Sequence, residues 1–129
     1  MSADNKEIKI LIVDDEHVMR SLLTDVLEDK GYKIKTAHNG KDALEIIRDS
    51  FFEIVFIDVH MPIMDGIQTL KAIKKLSPKS EIVMMDSYPD DQMLRPEAKE
   101  IVSCITKPFN IKQITDIVDD ILEKKDIKG

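Results

Sequence analysis

Asp14 and Asp15 follow the apolar run Ile10–Val13, Asp58 follows Ile54–Ile57, Asp86 follows Ile82–Met85, and Lys107 follows Ile101–Thr106. Any one of these acids could be a helix cap or a solvated turn residue, because turns favour Asp. The recurrence at one run end after another is harder to assign to turns alone. If the ends converge, several carboxylates face one lysine. Close carboxylates repel and are driven toward protonation. A bound divalent cation resolves that conflict. Oxygen-only ligands suit Mg²⁺, which keeps several waters and is often completed by a phosphate oxygen. A nearby lysine can hold the same phosphate as a point charge. The chemistry indicated is phosphoryl handling, with a carboxylate available as nucleophile.

These side chains converge only if the elements behind them bring the run ends together. Ile8–Val13 is nearly all apolar and reads as a buried strand. Val18, Met19, Leu22, Leu23, Val26 and Leu27 then recur at helical spacing, and Gly31 ends that helix. Tyr32–Ala37 carries Lys33 and Lys35, which suit an edge strand because they discourage pairing with other chains. Asn39 can cap a second helix bearing Ala43, Leu44 and Ile47. Ile54–Ile57 is a third strand, and a helix with Ile67, Leu70, Ile73 and Leu76 on one face follows the loop Val59–Asp65. Ser77-Pro78-Lys79 makes a turn into the fourth run, Ile82–Met85. Tyr88–Glu100 has sparse apolar residues and contains Pro89 and Pro96, so it reads as a poor helix. After Ile101–Thr106 comes a last helix, with Asn110 as cap and Ile111, Ile114, Ile117, Val118, Ile121 and Leu122 inward. Strands alternating with helices predict an α/β fold, a mostly parallel sheet in a three-layer arrangement. Such sheets bind ligands at the carboxyl ends of their strands.

Composition bounds the rest. The 129 residues make one domain, 1–129. At 43% hydrophobic and 34% charged residues the chain is neither disordered nor membrane-spanning. Met1–Glu7 is polar and acidic, unlike a secretory signal. The single cysteine, Cys104, fits a reducing cytoplasm and reads as a small buried hydrophobe. A net charge of −6 without a basic cluster, and no tryptophan, argue against direct nucleic-acid binding. Met84 and Met85 read as core packing, and His17 and His38 as surface residues.

Three segments together carry a resemblance: Ile12-Val13-Asp14-Asp15-Glu16, Ile57-Asp58-Val59-His60-Met61-Pro62-Ile63-Met64-Asp65-Gly66, and Lys107-Pro108-Phe109. The chain resembles the response-regulator receiver domains of two-component signalling from about Lys6 to Glu123. The resemblance implies a flavodoxin-like (βα)5 fold with strand order 2-1-3-4-5, in accord with the edge position read for strand two. It implies that Asp58 is the phosphoacceptor. Asp15 would be a direct Mg²⁺ ligand, with Asp14 binding through water and His60 contributing its backbone carbonyl. Lys107 would pair with the phosphoryl group and precede a cis peptide to Pro108. The implied partners are a histidine kinase or phosphotransfer protein. An output domain or protein would engage the face made by strand four, the segment after it and strand five. No enzymatic activity beyond the domain's own phosphorylation and dephosphorylation is implied.

Three positions depart from the family pattern. Asp86 stands where Thr or Ser normally bonds the phosphoryl group, Cys104 replaces the switch aromatic, and Glu100 replaces the glycine before strand five. Four acids against Mg²⁺ and Lys107 leave one excess negative charge; the usual hydroxyl residue would leave none. Either Asp86 faces the site and opposes phosphorylation, or it turns away or pairs with Lys107 while Ser87 supplies the hydroxyl. The expected function is a phosphoacceptor receiver. The alternatives are a receiver-like docking module that does not switch, and a small phosphohydrolase with an aspartyl nucleophile. Val59 and His60 speak against the latter, since neither supplies a second carboxylate beside Asp58.

Overall fold

The computed structural model describes residues 8–61, 64–86 and 102–128. Five parallel strands, β1 (Lys9–Val13), β2 (Lys33–Ala37), β3 (Ile54–Asp58), β4 (Glu81–Asp86) and β5 (Val102–Thr106), form one sheet in the order β2-β1-β3-β4-β5. The described helices are α1 (His17–Asp29), α2 (Gly40–Asp49), α3 (Gly66–Leu76) and α4 (Ile111–Lys128). The segment Tyr88–Glu100 read as a poor helix lies outside the described residues.

Strand alternation sorts the core into two layers. Leu11, Val13, Val55, Ile57, Ile82 and Met84 pack against Ala43 and Ile47 of α2 and Leu70 and Ile73 of α3. Ile10, Ile12, Phe56, Val83, Met85 and Ile105 pack against Leu23 and Leu27 of α1 and Ile114, Val118 and Ile121 of α4. Each fully buried side chain of this size contributes roughly 1.5–3 kcal/mol of transfer free energy. Coverage on both faces explains why β1 and β3 are continuous apolar runs. Lys33 and Lys35 are exposed on the edge strand β2, as their type suggested.

The helix ends follow from local chemistry. The Asn39 side chain accepts from the Asp42 N–H at 2.8 Å. Asp65 and Gln68 exchange hydrogen bonds in a capping box at the start of α3, and Asn110 and Gln113 do the same before α4. Gly31, at φ +99°, takes the left-handed conformation that closes α1.

Five inward assignments change. Val18 is 78% exposed and Leu22 is also exposed, because the buried stripe of α1 runs through Met19, Leu23, Val26 and Leu27. Leu76 and Ile111 are exposed at helix termini, beyond the last and first residues that reach the sheet. Cys104 is exposed rather than buried. It lies on an edge strand, and alternation directs it away from the face where Ile105 meets α4. Met84 and Met85 are fully buried, while His17 and His38 are exposed.

One glycine ties the fold to the loop after β3. A Cβ on Gly66 would stand against the Asp58 carbonyl oxygen and 2.6 Å from Val59 Cα. The first residue of α3 therefore packs directly on the backbone of residues 58–59. Gly66→Ala is expected to destabilise the protein by roughly 1–3 kcal/mol, the usual cost of overpacking. A urea-unfolding midpoint equal to that of the parent protein would contradict this packing.

Candidate functional site

Asp14, the residue after β1, is fully buried, an uncommon place for an acid. Its Oδ1 accepts from the Glu16 N–H at 2.9 Å, and its carbonyl accepts from Arg20 Nη1 at 2.6 Å. Asp58, the last residue of β3, is 5% exposed, and its Oδ1 accepts from the His60 N–H at 3.2 Å. Asp15 is exposed, yet Asp14, Asp15 and Asp58 each present an oxygen within 4.8 Å of the others.

Lys107 enters from the end of β5, and its peptide bond to Pro108 is cis. Its Nζ lies 3.2 Å from Asp14 Oδ2 and 3.6 Å from both Asp58 Oδ2 and Glu16 Oε1. The ends of β1, β3 and β5 thus converge as the sequence predicted. Asp86 closes β4, with its backbone paired to Thr106. Its side chain, Ser87 and Tyr88 lie outside what is described.

The electrostatics follow from crowding. Burial pushes the Asp58 carboxyl up from 3.8 to about 6; the charges of Asp14 and Asp15 add to it, against Lys107 and the His60 N–H. Burial also raises Asp14, although the Glu16 N–H and Lys107 pull it down. Burial disfavours the Lys107 ammonium, but Asp14, Asp58 and Glu16 outweigh that and hold its pKa above the ordinary value. One lysine therefore does not compensate the carboxylates. A clustered, oxygen-only donor set with uncompensated negative charge fits a hard divalent cation such as Mg²⁺.

Residues 10–119 match the sequence profile of the family described as the response regulator receiver domain. The chain belongs to that family. It is 37% identical over 119 residues to the sporulation initiation phosphotransferase F of Bacillus subtilis (strain 168), covering 91% of this chain and 95% of that protein. It is 32% identical over 115 residues to the chemotaxis protein CheY of Halobacterium salinarum, covering 88% of this chain and 96% of that one. Among solved structures, a CheY-like receiver domain from Methanospirillum hungatei superposes with a TM-score of 0.90 at 25% identity, over 95% of this chain and 99% of that one. The response regulator TrrA of Thermotoga maritima, solved in complex with Mg²⁺-BeF, gives 0.77 at 28% identity, over 88% and 98%. The α/β fold read from the strand pattern, and the flavodoxin-like strand order implied by the family resemblance, are thereby shown.

Three residues of the receiver site escaped the sequence reading. Glu16 stands in the first of the three resembling segments with no role attached, yet it reaches Lys107. Arg20 holds the Asp14 carbonyl from the first turn of α1. Gly66 matters through a close backbone approach. Glu16 is contiguous with Asp14 and Asp15, and Gly66 closes the motif that follows Asp58, so each had a signal; the role of Arg20 depends on how α1 packs.

Proposed function

We propose that this receiver takes a phosphoryl group from a histidine kinase or phosphotransfer protein onto Asp58. The observation that carries the reading is Asp58 itself: nearly buried at a strand end, grouped with two further carboxylates, and 3.6 Å from a lysine. With its pKa about 6, Asp58 is ionised at neutral pH and can act as nucleophile. A carboxylate oxygen forms a bond to phosphorus as the bond to the donor breaks, and the donor leaves with that electron pair. The product is an acyl phosphate on Asp58. The His60 N–H orients one oxygen of the carboxylate, and Lys107 faces the other, where the phosphoryl oxygens gather.

Asp15 and Asp58, with Asp14 behind them and the His60 carbonyl, would hold Mg²⁺. When bound, it supplies positive charge for the phosphoryl oxygens. That the similar TrrA was solved in complex with Mg²⁺-BeF supports Mg²⁺ as the ion. We also propose a cytoplasmic location and no direct contact with nucleic acid, consistent with one cysteine and a net charge of −6. Among the described residues no helix is long and apolar enough to cross a membrane. An output partner would use the face of β4, the segment after it and β5. No enzymatic role beyond the domain's own phosphorylation is proposed, and the whole of 1–129 is taken as one receiver domain.

Incubation with acetyl phosphate and Mg²⁺, followed by intact-mass measurement, tests the reading. The parent chain should gain one phosphoryl group and Asp58→Asn none. Equal incorporation by the two would remove Asp58 from the role.

The metal assignment has a separate expected outcome. Mg²⁺ should raise the melting temperature progressively with concentration, as mass action requires for a ligand of the folded state. Asp15→Asn should lose most of that increase. Identical Mg²⁺ responses in the two proteins would exclude Asp15 as a ligand.

A further inference from the structure

We propose that Glu16 is a tether on Lys107 and that its release limits the rate at which Asp58 takes a phosphoryl group. The inference rests on the reading of Asp58 as phosphoacceptor.

A lysine ammonium has three N–H donors and no acceptor. Three carboxylates stand round Lys107 Nζ among the described residues: Asp14 at 3.2 Å, Glu16 at 3.6 Å and Asp58 at 3.6 Å. The Lys107 side chain is only 11% exposed, so little water reaches it. Only Asp14 accepts a hydrogen bond from Nζ; Glu16 and Asp58 hold it as ion pairs at 3.6 Å, and one of these attractions must loosen for Nζ to move onto the oxygens of a phosphoryl group on Asp58. Asp14 is fully buried and its other oxygen is held by the Glu16 N–H. Asp58 is the reacting group. Glu16 remains, and its side chain is 64% exposed, so its carboxylate can turn into water. Its backbone need not move, because the N–H that holds Asp14 belongs to the main chain. Glu16 thus has two separable parts: a main chain that positions Asp14 and a side chain that occupies Lys107.

With its acid end in solvent, the pair is worth about as much as a surface ion pair, a few tenths to about 1 kcal/mol, so its release should change the rate roughly two- to fivefold. Two substitutions separate contact from charge. Glu16→Gln removes the charge. Glu16→Asp keeps it but is one methylene short of Lys107. Initial rates of phosphorylation by acetyl phosphate at saturating Mg²⁺ should rise in both variants. The second readout needs neither phosphate nor metal: the NMR order parameter of the Lys107 ε-methylene in metal-free protein should fall in both.

A faster Glu16→Gln with Glu16→Asp at the parental rate would show a general field effect and overturn the tether. Unchanged or slower rates in both would overturn it as well, as would equal Lys107 order parameters in the three proteins. No phosphorylation in any of the three would overturn the phosphoacceptor reading and the rate claim with it. The relaxation data would then still decide whether Glu16 holds Lys107.

Discussion

Asp58→Asn is expected to make the metal-free protein more stable, not less, at neutral pH. The Asp58 carboxyl titrates near 6 in the folded chain, against 3.8 for an ordinary aspartate, chiefly because it is buried and secondly because Asp14 is close. Between those values the folded state holds a proton that the unfolded state has released. Stability therefore falls as pH rises from about 4 to about 6, and the loss is complete above that window. The gap between the two values converts to on the order of 3 kcal/mol as an upper bound. Lys107 loses a partner in the variant, which offsets part of it. A net gain of roughly 1–3 kcal/mol corresponds to about 3–10 °C for a domain of this size. Thermal melts in chelator should show the variant well above the parent at pH 7.5 and level with it near pH 4. Mg²⁺ should narrow the difference at pH 7.5 by stabilising the parent more. A variant that melts below the parent at pH 7.5 would mean that the buried charge is better compensated than its neighbours indicate.

That such strain sits at strand ends is legible in the sequence, because its ingredients are local. Runs such as Ile10–Val13 and Ile54–Ile57 declare buried parallel strands, and the acids that end them must lie along one rim of the sheet. The lysines of β2 marked the edge, and Asn39 and Asn110 marked helix starts, because a cap is a contact across three residues. What could not be read depends on distant parts of the chain. Periodicity alone could not distinguish Val18 and Leu22 from Leu23 and Leu27; the angle at which α1 meets the sheet decides which stripe is buried. Cys104 was misjudged because residue type favours burial, whereas its place on an edge strand leaves it open. Gly66 stands in the motif after Asp58, but the reason for it, a close approach to the backbone at residues 58–59, is seen only in the packing of α3. Glu16 lies two residues after Asp14 in sequence, but its ion pair joins it to a residue near the far end of the chain.

Asp86→Thr is expected to accelerate phosphorylation of Asp58 by about two orders of magnitude. Asp58 pairs with Met85 in the β3–β4 ladder, so Asp86 follows the residue directly opposite the nucleophile. Asp86 also pairs with Thr106, the residue before Lys107. The Asp86 backbone is thus a neighbour of both groups that must receive the phosphoryl oxygens, across strands spaced about 4.8 Å apart. A unit negative charge brought within about 5 Å of the incoming group, at an effective dielectric near 20, would oppose it by on the order of 3 kcal/mol. That energy is roughly a hundredfold in rate. A threonine removes the charge and supplies an O–H donor, which an ionised aspartate lacks. Asp86→Ala removes the charge without the donor and should recover only part of the rate. The measurement is the initial rate of acetyl phosphate incorporation by the three proteins at saturating Mg²⁺. A parent chain that takes up almost nothing beside a competent Asp86→Thr would favour a docking module that has given up the switch while keeping its site. Equal rates in all three, or a faster parent, would show that the Asp86 charge does not reach the phosphoryl group. Ser87 would then be the next hydroxyl to replace.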